Sequence, residues 1–330
     1  QGALLGRMGK YVEAINVYTK IIENNPKNLE ALQGRGNAYR LYGEIEKAIL
    51  DHSNWIEYSP ESAQAFYTRG LDYYEKENFE NAQQDFDQSI QLNPLPYYYF
   101  ARGKNYMKLG KARSALRDFN KALSDEPSNL KFLKNRASAL FADEQFSLAL
   151  ADHLILVNAF PNDPAVYVAR GRVFIAADLE DGALNDFNYA ILLNNQYLPA
   201  HESRGQFYLS KELYIWAIAD FNKVIEINPK SVTAYINRGK AFYNQSINSP
   251  TPADREINLN SAIDDFSMAI KLDKTSTDAF FSRAASYKLI GDLDKSISDL
   301  TTSIGIRPTP EAYFERGLIF LTINKYDSSI

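Results

Sequence analysis

Cysteine is absent from the 330 residues, which excludes disulfides and thiolate-bound metals and leaves the redox compartment open. Histidine is almost absent too. His52, His153 and His201 lie far apart, and each reads as a packing residue rather than a ligand or base. No apolar run approaches the ~20 residues that a membrane-spanning helix needs. Positive charge is not in excess: the net charge is −5, which argues against a chain built as a whole to bind nucleic acid or an anionic membrane. There is no Ser/His/Asp arrangement, no glycine-rich phosphate loop and no metal-spaced cluster. The expectation is a non-enzymatic, soluble and cytoplasmic protein without catalytic residues, cofactor or metal.

What the chain does have is repetition. Arginine is followed sixteen residues later by aspartate in Arg35/Asp51, Arg69/Asp85, Arg102/Asp118, Arg136/Asp152, Arg170/Asp186, Arg204/Asp220 and Arg283/Asp299. An eighth pair, Arg238/Asp265, is spaced 27, which is sixteen plus an insertion of eleven. Catalysis has no use for eight copies of one ion pair, whereas a repeated structural unit does. The pair reads as a staple between two elements of each repeat. In the first, partial repeat both partners are lost together, to Gln1 and Val17.

Prolines keep the same beat of about 34 residues, at Pro26, Pro60, Pro94, Pro127, Pro161, Pro229 and Pro308, with Asn195 in one proline's place. Proline lacks an N–H and biases its predecessor away from helix, so each marks a helix end. Between prolines, apolar residues fall in two blocks with steps of three and four, as in Ala65–Tyr74 and Ala82–Leu92. Each repeat is thus two short amphipathic helices joined by a tight turn, often at glycine (Gly43, Gly110, Gly291). Small residues share one place in the first helix: Gly36, Gly70, Gly103, Ala137, Gly171, Gly205, Gly239, Ala284 and Gly317. Glycine inside a helix costs about 1 kcal/mol against alanine, so its recurrence implies a close approach, expected to be to a neighbouring helix backbone. The second helix repeats alanine and phenylalanine four apart, as in Ala82/Phe86, Ala115/Phe119 and Ala217/Phe221.

These features resemble the tetratricopeptide repeat, a 34-residue helix–turn–helix with Gly-x2-Tyr, Ala-x3-Phe and a terminal proline. The resemblance covers essentially the whole chain. It implies an all-α, right-handed superhelical α-solenoid running continuously over 1–330: the tail of a repeat at 1–28, eight full repeats at 29–309 and a truncated repeat at 310–330. On this reading the chain begins and ends inside a repeat. One departure is systematic, since arginine stands where the family often has leucine before the glycine. The eleven-residue insertion, near 244–258, falls between the helices of the seventh full repeat. There Thr251 is placed to cap a longer second helix beginning at Pro252. Asn244-Gln245-Ser246 matches a glycosylation sequon by pattern alone.

By the same resemblance, first helices line a concave groove. Counting along them, the groove-facing set is Arg40, Tyr67, Tyr74, Tyr97, Phe100, Lys104, Lys108, Lys131, Lys134, Phe141, Arg172, Lys240, Tyr243, Phe281 and Phe314. Cations gather between Lys104 and Arg172 with aromatics among them. Such a groove suits an acidic or carboxylate-ended peptide. The Lys/Asn set that the family uses to clamp chaperone C-termini is not found: Gln33 stands one turn before Asn37, and Ser138 follows Lys134. The functional expectation is a protein–protein interaction scaffold binding a partner protein or peptide, with no nucleic acid and no membrane insertion. Two alternatives are a regulatory or substrate-recruiting repeat region of a larger enzyme and, less well supported, a helical-repeat RNA binder.

Overall fold

Each proline-marked turn builds its own helix start. After Pro26, Pro60, Pro127, Pro161 and Pro229 comes a polar residue two places on, and that side chain accepts a backbone N–H of the new helix. Asn28 accepts from Ala31, Ser62 from Ala65, Asn129 from Phe132, Asp163 from Ala165 and Ser231 from Ala234. Asn195 stands in for proline without changing the turn, for Tyr197 N–H still reaches the Asn194 carbonyl at 3.0 Å.

The computed structural model describes residues 1–323, and every regular element among them is a helix. The chain divides into two compact units, Gln1–Ala159 and the residues from Phe160 onward. In the N-terminal unit, α1 (Gly2–Arg7) and α2 (Tyr11–Asn24) precede four hairpins. These are α3 (Leu29–Tyr42) with α4 (Ile45–Tyr58), α5 (Ala63–Glu75) with α6 (Phe79–Leu92), α7 (Pro96–Lys108) with α8 (Ala112–Asp125), and α9 (Leu130–Ala142) with α10 (Phe146–Ala159). The C-terminal unit pairs α11 (Pro164–Ala176) with α12 (Glu180–Leu193), α13 (Leu198–Ser210) with α14 (Tyr214–Ile227), α15 (Val232–Ile247) with α16 (Pro252–Leu272), and α17 (Thr277–Ile290) with α18 (Leu293–Ile306). It ends in α19 (Pro310–Thr322). Within each unit, consecutive hairpins stack so that first helices lie beside first helices, an α-solenoid arrangement.

Two kinds of residue make the hairpin turn. Gly43, Gly110 and Gly291 take positive φ of 69° to 94°, as the tight αL turn demands. In other repeats Glu77, Glu144, Asp178 and Glu212 adopt φ of 57° to 60° instead. Inside the hairpin, the recurrent glycine meets a ring rather than a backbone, which corrects the sequence expectation. A Cβ on Gly70, Gly103, Gly171, Gly205 or Gly239 would fall 2.5–2.9 Å from the phenylalanine ring of the second helix in the same repeat. In the first full repeat His52 takes the ring's place over Gly36. Glycine and phenylalanine are therefore one interlocked pair, and those phenylalanines are fully buried.

The Arg/Asp staples close the hairpins in all eight repeats. In each, arginine Nε donates to aspartate Oδ2 at 2.8 Å and Nη2 donates to Oδ1 at 2.5–2.8 Å. The pair across the insertion, Arg238/Asp265, has the same geometry as the rest. The insertion lengthens both of its helices, to 16 residues in α15 and 21 in α16, leaving 248–251 between them. Thr251 caps α16, its Oγ1 accepting from Asp254 N–H at 3.1 Å. Asn244 lies within α15, so the glycosylation pattern falls in a helix and not in a loop.

Candidate interaction groove

The heptad-like positions flanking each arginine decide what the first helices present. Residues two before and two after the arginine share its helix, and several of them pack against the rings of the second helix while lining the open side, as Tyr67 does beside Phe86 and Phe100 beside Phe119. In α5, α7 and α9 these and their neighbours are unusually aromatic and cationic. They surround one cleft of about 410 Å³, lined by Tyr67, Leu71, Tyr74, Phe86, Tyr97, Phe100, Lys104, Lys131 and Phe132, with Glu126 and Asn129 from the α8–α9 turn. Six residues of the sequence-derived groove set thus meet in a single place: Tyr67, Tyr74, Tyr97, Phe100, Lys104 and Lys131.

The aromatics form a continuous wall and floor. Tyr67 meets Tyr97 edge-on at 5.2 Å between centroids and lies 4.8 Å from Tyr98. Phe100 is buried and stacks on Phe132 at 4.7 Å. Lysines cover the rings: Lys104 Nζ stands 4.9 Å from the Tyr74 centroid, and Lys131 Nζ stands 5.2 Å from that of Phe100. Burial, then the charges of Lys131 and Lys108, push the Lys104 ammonium below the usual lysine range, with Glu75 pulling the other way. Among the described residues, no carboxylate lies within ion-pair distance of Lys104, Lys108, Lys131 or Lys134.

The rest of the set is dispersed. Arg40 turns inward, 3.6 Å from the buried Asp72 and 3.9 Å from Glu75, and its Nη2 donates to Asn37. Asp72 in turn bonds His52 Nδ1 at 2.5 Å, and burial pushes its carboxyl up while His52 and Arg40 draw it back. Phe141 is exposed and packs toward Phe146 at the hairpin turn. In the C-terminal unit Tyr243 and Phe281 line a smaller cleft of about 250 Å³. There Lys288 is already paired with Glu315 at 2.8 Å, and Lys240, which does not line that cleft, is paired with Asp278 at 2.8 Å. Arg172 donates to Ser203 Oγ, and Phe314 stands 64% exposed outside both clefts. His201 bonds the staple aspartate Asp220 and the Asn195 carbonyl, a structural role. Among the described residues no group of three or more His, Cys, Asp or Glu is placed to hold a metal, and no helix is long and apolar enough to cross a membrane.

Sequence counting missed Leu71, Phe132 and Asn129. It also missed a second use of the staple arginine. Its Nη1 reaches back to the second helix of the preceding repeat, to Ser53 from Arg69, Asn120 from Arg136, Asn188 from Arg204 and Asn222 from Arg238. The signal is a polar residue two places after each of those aspartates.

Profiles of the tetratricopeptide repeat match residues 17–49, 63–95 and 96–129. The same hairpin, staple and glycine–ring lock recur through both units outside those spans, and the chain is a tandem tetratricopeptide repeat protein. Among curated relatives, the DnaJ homolog subfamily C member 7 homolog of Schizosaccharomyces pombe is 28% identical over 149 residues, covering 40% of this chain and 31% of the relative. A tetratricopeptide repeat protein from Parabacteroides merdae superposes with a TM-score of 0.59 at 17% identity, over 78% of this chain and 98% of that one. YrrB, described as a repeat protein with an unusual peptide-binding site, superposes with a TM-score of 0.51 at 19% identity, over 57% of this chain and 97% of its own. At these identities the structures share the fold. The chain spans about a third of the length of the curated relatives it matches.

Proposed function

We propose that this protein is a non-catalytic interaction scaffold, and that the first-helix face of α5, α7 and α9 is where it binds a peptide segment of a protein partner. One observation carries the reading: the cleft gathers aromatic rings and two lysines that, among the described residues, have no carboxylate within ion-pair distance. A solvated lysine needs no partner, but a lysine held over a ring in a cleft has given up part of its hydration. A peptide carboxylate would restore it. Stacked helices hold the site in shape before binding, so little entropy is lost on association. YrrB, a fold neighbour, is itself described as having a peptide-binding site.

The test is fluorescence-anisotropy titration of the 330-residue chain with a panel of labelled acidic peptides, beside Lys104→Glu/Lys131→Glu. The reading expects binding by the parent chain and its loss in the variant. Equal binding by both would move the site elsewhere.

A further inference from the structure

Resting on that reading, we propose that the N-terminal cleft selects an internal acidic segment carrying one bulky apolar side chain, with the side chain seated among Leu71, Phe100 and Phe132 and its flanking carboxylates on Lys104 and Lys131. The occupant is then an extended stretch of a protein chain, and its free C-terminus is not required.

Three observations point there. First, the cleft is deeper than a charge-reading surface needs. Its volume of about 410 Å³ exceeds the 250 Å³ of the comparable cleft in the C-terminal unit. Its floor reaches Phe86 and Phe100, both of them core residues. An ion pair at the surface uses no such depth, whereas an aromatic or large aliphatic side chain does.

Second, charge separates the two clefts. In the C-terminal one Lys288 is satisfied by Glu315 on the next first helix. In the N-terminal one Lys104 and Lys131 sit on adjacent first helices, both over rings, and Lys104 is destabilised as a cation first by burial and then by Lys131 and Lys108, with Glu75 opposing. Two ammonium groups lining one apolar cleft match an apolar residue with carboxylates flanking it. Among the described residues Glu126 is the only acidic one lining the cleft, so a basic ligand would face two cations with one anion.

Third, among the described residues the amide side chains at and beside the site, Asn129 and Asn105, are already engaged. Asn129 Oδ1 is occupied in capping α9, its Nδ2 donates to Glu126, and Asn105 is turned into the α6–α7 packing with its Nδ2 on the Phe79 carbonyl. Converging on one chain end would need amide donors that are free, and these are engaged.

The experiment titrates the full chain with labelled, acetylated and amidated nonapeptides, so that no free terminus is present. The parent peptide has Phe at the centre of Asp/Glu flanks. Its companions have Ala at the centre, Lys in the flanks, or a free C-terminal carboxylate. The expected result is binding of the blocked Phe peptide, at least tenfold weaker binding of the Ala peptide, and no binding of the Lys-flanked one. Lys131→Glu and Tyr97→Ala, both at exposed positions, weaken the Phe peptide at least tenfold. Lys240→Glu in the C-terminal unit leaves it unchanged. Equal affinity for Phe and Ala peptides, or a requirement for the free C-terminus, overturns this inference and leaves the groove reading standing. Failure of every peptide to bind overturns both.

Discussion

At the scale of single residues, the arginine of each repeat carries more than its spacing suggested. It is bidentate to its own aspartate, and at Arg69, Arg102, Arg170 and Arg283 it also lies between aromatic rings one turn before and one turn after, as Arg69 does between Phe66 and Tyr73 at 5.8 Å. In most repeats, as at Arg69, its remaining nitrogen reaches the preceding repeat. The aspartates are buried, so removing the arginine strands a charge. Arg136→Ala should cost about 3 kcal/mol, and Arg136→Ala/Asp152→Ala less than the sum of the two single changes. Urea unfolding of the four proteins measures this, and strict additivity would refute the staple. Lys104 makes a second prediction at this scale. Its depressed pKa means the ammonium is lost at a lower pH than in an ordinary lysine. Affinity for an acidic peptide should therefore fall as pH rises through that depressed value. Lys104→Arg should move the fall to higher pH, because guanidinium keeps its proton. A pH titration of binding that is the same for both proteins would remove Lys104 from the contact.

At the scale of helices, the glycine–phenylalanine lock fixes how closely the two helices of a hairpin approach. Gly171→Ala places a methyl 2.5 Å from the Phe187 ring and should destabilise by about 1–3 kcal/mol. Gly305→Ala, also in a helix but with nothing within 4 Å, should be neutral or stabilising by up to about 1 kcal/mol. Thermal melts of the two variants that coincide would contradict the lock. The helices themselves were legible in the sequence because proline, cap and apolar spacing all agree in each repeat. The neighbour of the glycine was not. Periodicity says that something small is needed and says nothing about which surface presses on it. The same limit explains Arg40. Counting places it on the groove face, but what turns it inward is Asp72, one repeat further on, at a position where other repeats carry mostly apolar or small residues. Pairing across repeats depends on stacking geometry, which a count along one helix does not contain.

At the scale of the molecule, an acidic chain of net charge −5 keeps on one face of its N-terminal unit a patch of lysines that have no ion-pair partner among the described residues. The repeat architecture explains how such a patch survives: each hairpin is held by its own staple and lock, so groove-facing positions are free to vary from repeat to repeat. That freedom also explains why the site was only half legible. The groove positions follow from the period, but which of them converge does not. Tyr67, Tyr74, Tyr97, Phe100, Lys104 and Lys131 meet in one cleft, while Lys240 and Arg172 are engaged by neighbours in the C-terminal unit. The central claim is that a partner segment binds on α5, α7 and α9, and photo-crosslinking tests it most directly. A blocked acidic peptide with benzoylphenylalanine at its centre is irradiated with the full chain, and the attachment sites are read by mass spectrometry. Crosslinks confined to residues 67–132, on the first-helix face, are the predicted result. Crosslinks on second helices, or spread through the C-terminal unit, would contradict it.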